Sequence, residues 1–105
     1  MVVSHVVQRG AMLYISGATP EPAGDVKGQT REVLQRIEGL LRSAGSSKAK
    51  LLTAQVRLSD LQLLEDHDAV WNAWIDPKAP PIRAWAHAVL RQPEMLVEIL
   101  VTATK

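Results

Sequence analysis

The chain has 105 residues, 47% of them hydrophobic and 22% charged, which fits one globular domain with a modest core and excludes a disordered chain. Twelve Lys and Arg against eleven Asp and Glu give a net charge of +1, so there is no electrostatic reason to expect nucleic acid or an anionic membrane as partner. Cysteine is absent, which removes disulfides, thiolate catalysis and thiolate metal sites together and suits a reducing cytoplasm.

The valine-rich segment Val2 to Val7 reads as a strand, Arg9-Gly10 as a tight turn, and "MLYISG" from Met12 as the returning strand of a hairpin. "GATPEPAGD" is a loop, because its prolines and glycines oppose regular structure. The N-terminus lacks the charged region and long apolar stretch of a secretory signal. No apolar run approaches the roughly 20 residues of a membrane helix. A soluble cytoplasmic protein is the expectation.

Asp25 is a good helix N-cap. Val26, Thr30, Val33, Leu34, Ile37, Leu40, Leu41 and Ala44 then recur at helical spacing, and Gly45 is a suitable stop. "SSKAK" reads as a loop. In "LLTAQVRLSD" the residues Leu52, Ala54, Val56 and Leu58 alternate with Thr53, Gln55 and Arg57, the pattern of a strand with unlike faces. Asp60 can cap a second helix, along which Leu64, His67, Asp68, Trp71 and Ile75 form one stripe with Leu61. The prolines of "DPKAPP" end it. Ile82 to Leu90 reads as a strand, "RQPE" as a turn, and Met95 to Ala103 as the last strand.

This order predicts an α+β domain with two helices packed on one face of a mixed sheet. In the last strand Met95, Val97, Ile99 and Val101 face one way, while Leu96, Glu98 and Leu100 face the other. A sheet apolar on both faces, with helices for only one, needs a partner subunit.

Two charges interrupt the most strand-like segments. Arg83 shares a strand face with Trp85 and His87, opposite Ile82, Ala84 and Ala86. The small alanines suit close helix packing, which would turn Arg83 away from the helices. A buried guanidinium needs an anion, and its fork fits a carboxylate at two points. Glu98, with Val97 and Ile99 on either side, could accept or give a proton. Arg83 and Glu98 could equally form a structural ion pair with each other. Asp68 falls on the apolar stripe of the second helix, where it either meets water at the helix edge or points past the sheet edge into a cleft. Trp71 and Trp74 read as core and rim residues. The three histidines show no metal-ligand spacing, and there is no nucleophile elbow and no phosphate loop.

Over almost its whole length the chain resembles the RidA/YjgF reactive-intermediate deaminases, also known as the endoribonuclease L-PSP family. The resemblance rests on "YISG", "GDVKGQTREVLQRIEGLL", "AQVRLSDLQ", "DAVWNAW", "APPIRAW" and "EMLVEILVTA". Its most specific part is the pair Arg83 and Glu98, and the W-x-A-W of the second helix is similar to a short branch of the family. The resemblance implies a chorismate-mutase-like fold assembled as a homotrimer, with clefts between neighbouring subunits and no cofactor or metal. It implies hydrolysis of 2-imino or 2-enamino acids, such as 2-aminoacrylate, to 2-oxo acids and ammonia. Arg83 would anchor the small-molecule carboxylate, Glu98 would position the water, and Ser16 and Gly17 would line the cleft. Trp85 stands where many members have cysteine, Asp68 where asparagine is usual, and Val3 where the deaminases carry a loop tyrosine; Trp85 and Asp68 would therefore shape the substrate site. A non-catalytic carboxylic-acid-binding or chaperone-like trimer is the alternative, and a ribonuclease is a third reading that the charge disfavours.

Overall fold

The structure, a computed structural model, describes residues 5–17 and 24–105. Five strands and two helices follow one another as β1 (Val6–Arg9), β2 (Met12–Gly17), α1 (Val26–Ser43), β3 (Leu51–Leu58), α2 (Leu64–Trp74), β4 (Ile82–His87) and β5 (Val97–Thr104). The expected strand residues Val2 and Val3, and most of the expected loop after Gly17, lie outside the described residues.

The strands form one sheet in the order β1-β2-β5-β3-β4, with β3 and β4 parallel and the other pairs antiparallel. The β3-α2-β4 unit is thus a strand-helix-strand crossover that places β4 at the sheet edge. Both helices lie on one face, giving a two-layer slab of 37 × 36 × 19 Å.

The N-terminal hairpin turns at Gly10, whose φ of 58° lies in the left-handed region. Asp25 caps α1 by accepting from the Gly28 amide at 2.9 Å. The predicted stripe of α1 is buried through Val26, Thr30, Val33, Leu34, Ile37 and Leu41, against Leu13 and Ile15 of β2, Ala54, Val56 and Leu58 of β3, and Val97, Ile99, Val101 and Ala103 of β5. The alternation expected for the last strand is observed over Val97–Thr104, with Glu98, Leu100 and Thr102 on the face without helices.

Three local expectations are corrected. Leu52 does not join the buried row of β3; an irregularity in the β3–β5 ladder between Leu51 and Thr53 buries Leu51 and leaves Leu52 exposed. Asp60 caps a single 3-10 turn, Leu61–Leu63, through the Gln62 amide, and α2 starts only at Leu64. β4 ends at His87 instead of Leu90.

Buried polar side chains fix how the layers sit. Gln29 of α1 donates to the Gly24 and Glu94 carbonyls and accepts from the Leu96 amide, tying the helix to the approach to β5. Thr30 Oγ1 and His67 Nδ1, both fully buried, lie 3.1 Å apart and pin the rotation of α2 against α1.

Candidate functional site

The candidate site residues fall on two sides of the sheet. β4 is in register with β3 so that Arg83 lies beside Ala54, Trp85 beside Val56 and His87 beside Leu58. Ala54, Val56 and Leu58 face the helices, so Arg83 and Trp85 do too. This corrects the expectation that Arg83 points away from them. The alanines of β4 are not a helix-packing surface, because an edge strand lies at the margin of the helix layer. Arg83 bridges from it to α2, and Ile82 is left 77% exposed on the opposite face.

Asp68 and Trp71, one turn apart on α2, meet Arg83. Arg83 Nη1 lies 2.8 Å from Asp68 Oδ1. The guanidinium carbon stands 5.0 Å from the centroid of the Trp71 ring and 5.1 Å from that of Trp85, so an indole lies close to the guanidinium from each of two elements. Of the two readings of Asp68, the structure gives a side chain turned across the sheet edge onto the arginine, still 29% exposed. Nη1 and Oδ1 are themselves buried, and their approach is close but not aligned as a hydrogen bond, which leaves bonding capacity on both charges. Trp71 is the participant that the sequence reading assigned to the core alone. Its signal was its place three residues after Asp68 on the same stripe.

His67 sits behind this pair. Its imidazole is held down to a pKa of about 4, chiefly by burial, with Asp68 opposing the shift and Arg83 adding to it. Nδ1 faces Thr30, and Nε2 is buried with no partner among the described residues.

Glu98 belongs to the other face. It stands opposite Arg57 in the β3–β5 ladder, and Arg57 Nη1 donates to Glu98 Oε1 at 3.0 Å. Val97 and Ile99 point to the core, so Glu98 is not enclosed by its apolar chain neighbours. The ion pair between Arg83 and Glu98 that the sequence allowed is not formed: each takes another partner.

Ser16 lies on this same open face, opposite Leu100 and diagonal to Glu98. It borders a hollow of about 310 Å³ with Tyr14, Thr53, Gln55, Leu100 and Thr102. Gly17 faces the helix side, where an added Cβ would lie 2.6 Å from Ile37 Cγ1. Its lack of a side chain is explained by α1. The structure therefore brings Arg83, Asp68 and Trp85 together, places Ser16 and Glu98 on one face, and separates the two groups within one subunit. Among the described residues no group of His, Asp and Glu could hold a metal ion, and no helix is long and apolar enough to cross a membrane.

Comparison with known proteins accounts for the same span of chain. A family model described as Endoribonuclease L-PSP matches residues 3–105. A RutC family protein of Haemophilus influenzae is 36% identical over 104 residues, covering 97% of this chain and 90% of its own. The RutC family protein YoaB of Escherichia coli is 31% identical over 100 residues, covering 95% and 88%. Among solved structures, a member of the YjgF protein family from Neisseria meningitidis superposes with a TM-score of 0.94 at 36% identity, covering 98% of this chain and 87% of that one. The helix-backed five-stranded sheet and the near-complete match to these proteins agree, and the chain belongs to the RidA/YjgF family.

Proposed function

We propose that the protein is an enamine/imine deaminase that works as a homotrimer, with each site built between two subunits. The observation that supports this most is the separation of Arg83 and Glu98 onto opposite faces of one sheet. A site using both needs the Arg83 edge of one copy beside the open face of another. That open face carries Tyr14, 46% exposed, and Ile82 with no helix over them, a surface suited to burial against a second copy.

In this reading Arg83 holds the carboxylate of a 2-imino acid through the N–H groups that Asp68 does not face. Glu98, held by Arg57 on Oε1, keeps its other oxygen for a water molecule and takes the proton as the water adds to the imine carbon. With the imine protonated, the proton on Glu98 passes to nitrogen, the hydroxyl group then gives its remaining proton back to Glu98 as the C=O bond forms, and the C–N bond breaks with its electron pair going to nitrogen, so that ammonia, the 2-oxo acid and one proton leave. Ser16 lines the cleft beside Glu98, and Gly17 contributes backbone only. No cofactor enters this balance, since water is the only co-reactant. The endoribonuclease wording of the family model finds little support in a net charge of +1, which supplies little phosphate attraction.

The test is ammonia release from 2-aminoacrylate generated in situ. The proposal predicts release above the uncatalysed rate, lost in Glu98→Gln. Carboxylate binding without ammonia release would make the protein a binding module of the same fold.

A further inference from the structure

Arg83 is a poor anchor for a simple anion. A carboxylate of the same chain already stands 2.8 Å from it, and the pair has no net charge. Indoles from α2 and β4 lie 5.0 and 5.1 Å from the guanidinium carbon. Access therefore narrows to N–H groups other than the buried Nη1. Asp68 is buried at Oδ1, the atom that faces Arg83, while its side chain retains 29% of its surface. Its open side also borders a surface groove of about 600 Å³ with Glu65 and Asn72, and among the described residues no cationic one lines that groove. His67 next to it is neutral at pH 7 and does not offset its charge.

We infer that Asp68 is a specificity residue, and that the Asp68–Arg83 pair selects ligands carrying a cationic nitrogen next to their carboxylate over ligands that are anions alone. The inference rests on the reading of Arg83 as the carboxylate anchor. A ligand carboxylate accepts from the open N–H groups of Arg83, and its ammonium or iminium nitrogen donates to Asp68. Both charges of the pair are then matched. A ligand with a carboxylate and no cation meets the Asp68 carboxylate unpaired and is repelled. The protonated 2-imino acid is of the first kind and the 2-oxo acid of the second. Hydrolysis would remove the charge that Asp68 holds, so the product would leave from a site that selected the substrate.

Calorimetric titration of the full chain with L-2-aminobutanoate and with 2-oxobutanoate tests this. The wild type is expected to bind the amino acid about tenfold or more tighter than the oxo acid, the range of a hydrogen bond to a charged group. Asp68→Asn, checked for retained fold by circular dichroism, should abolish that preference and bind the oxo acid tighter than the wild type does. A wild type that prefers 2-oxobutanoate, or an Asp68→Asn variant with the preference unchanged, overturns the inference and leaves the anchor reading standing. Arg83→Lys that binds both ligands as the wild type does, or a wild type that binds neither, overturns the anchor reading, and the inference falls with it. The wild-type ranking alone decides the matter if the variant does not fold.

Discussion

At the scale of single residues, the arginine beside two indoles explains why arginine and lysine are not equivalent at position 83. A planar guanidinium can lie against aromatic faces while its edge donates; an ammonium keeps the charge and loses both properties. Arg83→Lys should weaken binding of L-2-aminobutanoate by about 2–4 kcal/mol with the fold intact, as read by calorimetry beside circular dichroism. An unaltered affinity would mean that the edge of Arg83 is not used. His67 carries a second prediction. Its pKa is lowered from 6.5 to about 4 in the native chain, so between those values the unfolded chain binds a proton that the native chain does not. Stability is therefore complete above pH 6.5 and falls as pH drops towards 4, by up to about 3 kcal/mol in total. Urea denaturation at pH 7 and pH 4.5 should show this fall, and His67→Gln should flatten it. An equal fall in the variant would assign the acid sensitivity to other groups.

At the scale of elements, the contact between β2 and α1 depends on Gly17. A methyl group there would meet Ile37 at 2.6 Å and 2.7 Å and Val33 at 3.1 Å. Gly17→Ala should destabilise by about 1–3 kcal/mol through overpacking, and adding Ile37→Val should recover part of the loss in thermal melts. No recovery would mean that the penalty comes from the backbone and not from α1. The elements themselves were legible where periodicity and caps agree: Asp25, the α1 stripe and Gly45 define α1, and the two-residue alternation defines β5. Two features were not legible for physical reasons. The displacement of Leu52 arises from a ladder irregularity, a property of the strand pair β3–β5 that no single-strand pattern contains. The side to which Arg83 points is set by the register of β4 on β3. Judging it from the small size of Ala84 and Ala86 presumed a central strand, and β4 is an edge strand. Asp68 was open to two readings because its partner is 15 residues away on another element. Glu98 was linked to Arg83 because Arg57, its actual partner, looked like an ordinary outward residue of an alternating strand.

At the scale of the whole molecule, the fold puts the candidate site residues on opposite faces of the sheet. Arg83 lies on the helix side of the edge strand β4, and Glu98 and Ser16 lie on the open face. The proposed homotrimer joins them, and size exclusion with light scattering should give three times the chain mass of 11.5 kDa at micromolar concentration. A monomer would remove the inter-subunit site altogether.

Subunit complementation tests the central claim that Arg83 and Glu98 act together across an interface. Arg83→Lys and Glu98→Gln chains should each release little or no ammonia from 2-aminoacrylate as homotrimers. Co-expressed in equal amounts, they should form mixed trimers in which some interfaces join an intact Arg83 to an intact Glu98. Random mixing restores such an interface about one time in four, so activity should return to about a quarter of the wild-type rate. If mixed trimers form, as shown by mass spectrometry of the intact assembly, and no activity returns, the two residues do not share a site across the interface, and the account is contradicted.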